Sequence, residues 1–119
     1  MRIIGGNFKG KKISLPNDNV TRPLRDLVKE SIFNLITHSN KFNCDINNSE
    51  ILDLFSGTGS FGLECISRNA KKVTFIENYR EALLVLKKNI FFLNIKEKFE
   101  LFEKNCFDFF HSDHKLTKN

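Results

Sequence analysis

The residues best equipped for chemistry fall in one stretch, Asp53-Leu54-Phe55-Ser56-Gly57-Thr58-Gly59-Ser60-Phe61-Gly62. Gly57, Gly59 and Gly62 spell G-x-G-x-x-G between an apolar run and a helical pattern, the arrangement that brings backbone close to a dinucleotide pyrophosphate. Asp53, four residues before the first glycine, argues for a different ligand. A carboxylate at a strand tip repels phosphate and favours a cation. The ammonium and sulfonium of S-adenosylmethionine are such cations, and residues without a Cβ let the backbone approach the methionine end. The alternative is a purely structural turn, because G-x-G-x-x-G alone is a weak signature.

Glu77 lies 24 residues beyond Asp53 and closes the next apolar run. An ionised carboxylate offers about four acceptor sites and can take both hydroxyls of a ribose; the alternative is an ordinary acid leading a helix. Asn105 follows the third apolar run, where its side chain or the Cys106 amide can meet an adenine edge. Considered alone, Asn105 reads better as a helix cap than as a ligand contact. A second kind of chemistry gathers near the start: Arg2, Lys9, Lys11, Lys12, Arg22, Arg25 and Lys29 against Asp18, Asp26 and Glu30. Such a cluster suits contacts to a phosphate backbone, or is simply a solvated basic face. The net charge of +5 points the same way, although a composition with 14 Lys, 13 Phe and no Trp also follows from AT-rich codons. His111 and His114 form H-x-x-H in a polar tail without a third ligand, so no metal is expected. His38 reads as a cap or surface residue.

To converge, these residues need strands that end side by side. The 119 residues, 40% hydrophobic and 28% charged, suffice for one small domain. No apolar run approaches the roughly 20 residues of a membrane span, and the first residues lack a secretory apolar region. Cys44, Cys65 and Cys106 form neither a disulfide framework nor a C-x-x-C, which points to a reduced cytosol. Periodicity predicts short strands at 2–4 and 12–15 around glycine-rich Gly5–Gly10, then a helix from Pro23 with Val28, Ile32, Leu35 and Ile36 on its apolar face. Beyond residue 50 strands and helices alternate. Strands at 51–54, 73–76 and 99–102 flank helices at 60–68 and 80–93, and a further helix starts at Cys106. That order implies parallel βαβ units in an open α/β sheet, whose ligands bind at the strand carboxyl ends. The domain reading is a basic hairpin and loop over 1–24, then the first half of a Rossmann-like domain over 25–119.

Taken together, Met1-Arg2-Ile3-Ile4-Gly5-Gly6, Gly10-Lys11, Thr21-Arg22-Pro23, Lys29-Glu30, Phe33-Asn34 and Asp53-Leu54-Phe55-Ser56-Gly57-Thr58-Gly59 resemble the RsmD-type ribosomal RNA guanine-N2 methyltransferases. The resemblance runs through essentially the whole chain. It implies a class I, Rossmann-like, S-adenosylmethionine-dependent α/β fold acting on the exocyclic amine of a guanine in small-subunit ribosomal RNA. A ribosomal RNA or assembling small subunit is the implied partner and the cytoplasm the implied location. Asp53, Phe55, Gly57 and Gly59 then match the methionine side of the cofactor site, Glu77 and Asn78 the ribose side, and Asn105 and Cys106 the adenine loop. Arg22 and Pro23 match a substrate-side loop, and Arg2, Lys11, Lys12, Thr21 and Arg25 complete the substrate-side candidates. Alternatives are a methyltransferase of another nucleic-acid amine, such as adenine N6, or a non-catalytic binding remnant.

Three departures stand out. Leu24-Arg25 replaces a common Thr-Thr, and Tyr79 replaces a frequent Asp, which leaves Asn78 as the candidate helix cap. The third is larger. The family's Asp/Asn-Pro-Pro-aromatic motif, which orients the target amine, is missing, for the only prolines are Pro16 and Pro23. No catalytic residue is therefore assigned. The expectation is a truncated chain that keeps the cofactor fingerprint without methylating, and whose strand at 51–54 presents an open apolar edge.

Overall fold

A computed structural model describes residues 1–15, 26–38, 45–54 and 56–111. Its elements are α1 (Asp26–His38), β1 (Glu50–Asp53), α2 (Ser60–Ser67), β2 (Lys72–Ile76), α3 (Arg80–Leu93), β3 (Phe99–Phe102) and α4 (Cys106–His111), with short 3-10 turns at Gly6–Phe8 and Lys96–Lys98. The three strands are parallel in the order β1-β2-β3. Their register, Asp53 beside Phe75 and Ile76 beside Phe102, brings all three carboxyl ends to one side of the sheet. This is the predicted α/β architecture of a Rossmann-like half, with strand and helix limits after residue 50 shifted by no more than a residue or so.

Sequence explains most of these boundaries. Val73, Thr74, Phe75 and Ile76 supply β2 with branched and aromatic side chains suited to a pleated, half-buried surface. The turn after α2 passes through Asn69 at φ 74° and α3 is closed by Asn94 at φ 51°, the left-handed conformation Asn tolerates at helix ends. Leu63 and Ile66 of α2, Val73 and Phe75 of β2, and Leu86, Ile90 and Leu93 of α3 form one buried cluster. Gly62 permits the close seat of α2 on β2, because a Cβ there would strike the Phe75 ring and Val73. β1 is an edge strand, and Leu52 on it is 38% exposed. Among the described residues no helix is long and apolar enough to cross a membrane.

Two expectations need correction. Helix α1 does not bury its Val28 and Leu35 face: these are 44% and 55% exposed, whereas Lys29 and Phe33 are fully buried. Phe33 stacks on Phe61 with ring centroids 5.0 Å apart and lies 4.5 Å beneath the Arg68 guanidinium, and Lys29 finds a buried carboxylate. Those partners rotate the helix away from its most apolar stripe. The N-terminal strands are likewise reduced to a single antiparallel bridge between Arg2 and Lys12. The amides that would extend a ladder are engaged elsewhere. Those of Ile4 and Gly5 donate to Glu64 and that of Phe8 to Ser67 Oγ, each at 2.9 Å. Ile3 and Ile13 nevertheless enter the main core.

Glu64 is where these elements meet. Its carboxylate accepts the Ile4 and Gly5 amides and Arg68 Nε at 2.8 Å, and pairs with Lys29 Nζ at 3.2 Å. Lys29 in turn donates to the Arg2 carbonyl and to Ser60 Oγ. Burial alone would push the Glu64 carboxyl up. The Ile4 amide, Arg68, the Gly5 amide and Lys29 together outweigh it and hold the group below the ordinary glutamate range. A carboxylate lowered in the folded state stabilises above its unfolded pKa of about 4.3 and loses that contribution as pH falls through the folded value. Glu64→Ala should therefore cost about 3–5 kcal/mol, measured by urea unfolding at neutral pH. Glu64→Gln should flatten the loss of stability below about pH 4.5. An unfolding midpoint unchanged by Glu64→Ala would contradict this account.

Candidate functional site

The loop between β1 and α2 is clamped from three directions. Ser56 extends the ladder to β2: its amide donates to the Ile76 carbonyl at 3.2 Å, and its Oγ accepts the Ile76 amide at 3.1 Å while donating to the Asp53 carbonyl. The Gly57 amide donates to Glu77 Oε1 at 2.7 Å, and Glu77 Oε2 accepts the Tyr79 amide at 3.0 Å. From the other side, Asn89 Nδ2 donates to the Thr58 carbonyl at 2.9 Å. The loop conformation needs glycine twice, at Gly57 with φ 56° and at Gly59 with φ 90°. The two differ in surroundings. A Cβ at Gly59 would collide with Leu86 and Leu63, whereas one at Gly57 would project into open space. Gly59 serves packing, and Gly57 leaves backbone accessible from outside.

The predicted site residues converge on this edge. Asp53 ends β1 half-buried, with Oδ2 sealed from solvent. Glu77 and exposed Asn78 follow β2 directly. Asn78 is not the cap of α3: Tyr79 holds the N-cap position, without a side-chain cap bond. Asn105 follows β3, and its Oδ1 accepts the Asp108 amide at 2.7 Å, so the oxygen caps α4. Cys106 is buried. Nearby Cys65 is no nucleophile, for burial, reinforced by the Asp53 and Glu64 carboxylates, pushes its thiol up to about 12. Phe55, Thr21, Arg22, Pro23, Arg25, His114 and Cys44 lie outside the described residues.

On the basic side, Arg2, Lys9, Lys11 and Lys12 are exposed. Lys29 is not, and its expected place in a phosphate-binding cluster is overturned by complete burial against Glu64. Sequence reasoning missed Ser56, Glu64 and Asn89. A signal for Asn89 was present: Leu86, Asn89, Ile90 and Leu93 recur at helical spacing, so a polar residue there had to be buried and bonded.

The family described as conserved hypothetical protein 95 matches residues 1–118. The ribosomal RNA small subunit methyltransferase D of Haemophilus influenzae is 40% identical over 110 residues, 92% of this chain and 54% of that protein. The protein of the same name from Escherichia coli K12 is 38% identical over 90 residues, 76% of this chain and 42% of its own length. Among solved structures, yhhF of Escherichia coli superposes with a TM-score of 0.75 at 32% identity, covering 92% of this chain and 55% of that one. A Haemophilus influenzae protein superposes with a TM-score of 0.67 at 36% identity, over 95% and 56% of the two chains. The chain thus spans about half the length of the curated relatives it matches.

The contrast between the glycines is measurable. Gly57→Ala should cost about 1–2 kcal/mol, the penalty of left-handed backbone for an L-residue. Gly59→Ala should cost that amount and about 1–3 kcal/mol more for crowding Leu63 and Leu86. Equal shifts of the thermal midpoint in the two variants would show that the glycines do not divide their roles in this way.

Proposed function

The chain belongs to the family described as conserved hypothetical protein 95, and on that footing we propose that it forms the cofactor-holding part of an S-adenosylmethionine-dependent methyltransferase acting on a guanine N2 of small-subunit ribosomal RNA. One observation carries the cofactor reading: the Glu77 carboxylate at the end of β2 holds the Gly57 amide, and Gly57 itself faces open space. Each Glu77 oxygen accepts one backbone amide, which leaves lone pairs of a carboxylate for ribose hydroxyls. The residues present therefore fit an adenosyl group. When bound, S-adenosylmethionine supplies a methyl group already activated by its sulfonium.

The protein's own task is then to bind and orient. Asp53 and Gly57 face the methionine end, with Gly59 packed beneath to fix the turn and Phe55 assigned to the same ligand; there the Asp53 charge favours ammonium and sulfonium over phosphate. Glu77 and Asn78 take the ribose, and Asn105 with the Cys106 amide borders the adenine. On the substrate side, exposed Arg2, Lys11 and Lys12, together with Thr21, Arg22, Pro23 and Arg25, meet RNA. Basic side chains there position a phosphate backbone without reading its sequence. The N-terminal segment, 1–24, acts as the substrate-side unit and 25–119 as the cofactor-side unit. A ribosomal RNA substrate, free or in an assembling small subunit, implies work in the cytoplasm. The relatives named as ribosomal RNA methyltransferases support the RNA reading. Because these 119 residues contain no Pro-Pro, we assign them cofactor and backbone binding and no base-orienting group.

Glu77→Ala should weaken S-adenosylmethionine by about 1.5–3 kcal/mol, the scale of hydrogen bonds to a charged group. Titration calorimetry on parent and variant measures it, and equal affinities would reject the ribose assignment. Charge reversal at Lys11, Lys12 and Arg22 should leave cofactor affinity nearly unchanged while flattening the salt dependence of RNA binding, by about 0.7–0.9 in slope per lost contact. Identical slopes would reduce the basic segment to solvated surface.

A further inference from the structure

Asn89 sits within α3 with 1% of its surface exposed, and its amide makes three hydrogen bonds. Oδ1 accepts the Ser14 amide at 2.8 Å, and Nδ2 donates to the Ser14 carbonyl at 3.2 Å and to the Thr58 carbonyl at 2.9 Å. Toward Ser14 the side chain behaves as a surrogate peptide group, exchanging both bonds of a bridge. Toward Thr58 it fixes the carbonyl that lies between the two left-handed glycines. One side chain therefore joins segments 44 positions apart, by the difference of 58 and 14. One is the cofactor loop, and the other leads directly into residues 16–25.

Three bonds on one buried amide are not needed merely to hold the N-terminal segment. Ser67 already does that elsewhere, accepting the Phe8 amide and donating to the Gly5 carbonyl at 2.5 Å, as does Glu64 at Ile4 and Gly5. Those anchors touch α2 and do not reach the loop carbonyl. Asn89 bonds both partners, so ordering Thr58 restricts the amide, and the restricted amide restricts Ser14. Coupling of this kind requires no change of shape, only that one ligand spares part of the ordering cost met by the next.

We infer that Asn89 is a positioning residue that couples occupancy of the glycine-rich cofactor loop to the order of the N-terminal substrate-side segment, an inference that rests on the cofactor reading above. By linkage, RNA held at that segment would tighten the cofactor by the same factor that the cofactor tightens RNA. Hydrogen exchange tests it on the 119-residue chain with S-adenosylhomocysteine as probe. The amides of Lys11 and Ile13 are the reporters, because their bonds, to the Phe8 and Met1 carbonyls, do not involve Asn89.

In the parent, the probe should slow exchange in the loop at 56–60 and, about fivefold or more, at Lys11 and Ile13. Asn89→Ala removes one of the three loop clamps and should weaken the probe; at a concentration that saturates the variant, the loop protection should persist and the distant one be lost, whereas Ser67→Ala should keep both. If the alanine variant does not fold, Asn89→Gln, which displaces the amide by one methylene, carries the same expectation. Undiminished protection at Lys11 and Ile13 in the Asn89 variant overturns the coupling and leaves the cofactor reading standing. So does loop protection alone in the parent. No protection anywhere in the parent overturns the cofactor reading, and the coupling with it.

Discussion

Glu64 carries a carboxylate with no exposure to water, on the helix that follows the glycine-rich loop, and the N-terminal segment, α1 and α2 are arranged around satisfying it. An uncompensated buried charge is prohibitive. Here two backbone amides come from the N-terminal segment, an ammonium from α1 and a guanidinium from Arg68, which closes α2. The network adds little net stability over a well-packed apolar substitute, but it admits few alternatives, since losing any one partner strands the rest. It thereby specifies where α1 lies and how the chain begins. Through Lys29 it also reaches Ser60, the first residue of α2, so the start of that helix, next to Gly59, is fixed from behind.

The same logic continues on the other side of the loop. Ser56, Glu77 and Asn89 each bind loop backbone, and they come from the loop itself, the end of β2 and helix α3. A site held by several rigid elements keeps its geometry better than a free loop does. The open approach to Gly57 is thus a feature of a loop fixed on its other sides.

How much of this could be read from the sequence follows from the range of the interactions. The alternation of strands and helices after residue 50 rests on local periodicity and turn chemistry, and the limits of α3 matched residue for residue. Asp53, Glu77 and Asn105 fell at successive strand ends because a parallel sheet puts them there. Elements that depend on distant partners were misread. By its charge and position Lys29 belongs with the basic cluster, and only Glu64, 35 positions away (64 minus 29), draws it into the core. The same pair turned α1 off its expected face. The N-terminal strands dissolved into a single bridge because a side chain 60 residues away claims the Ile4 amide. Hydrophobic pattern carries no record of such bonds.

On the function proposed above, the strand-end edge formed by Asp53, Gly57 and Glu77 selects a cationic S-adenosyl ligand over a pyrophosphate one, although the glycine spacing alone is compatible with either. Parallel calorimetric titrations of the 119-residue chain with S-adenosylmethionine and with NAD test this most directly. Saturable binding of S-adenosylmethionine at one site, with no heat of binding from NAD, is the predicted result. Tight NAD binding with none for S-adenosylmethionine would contradict it.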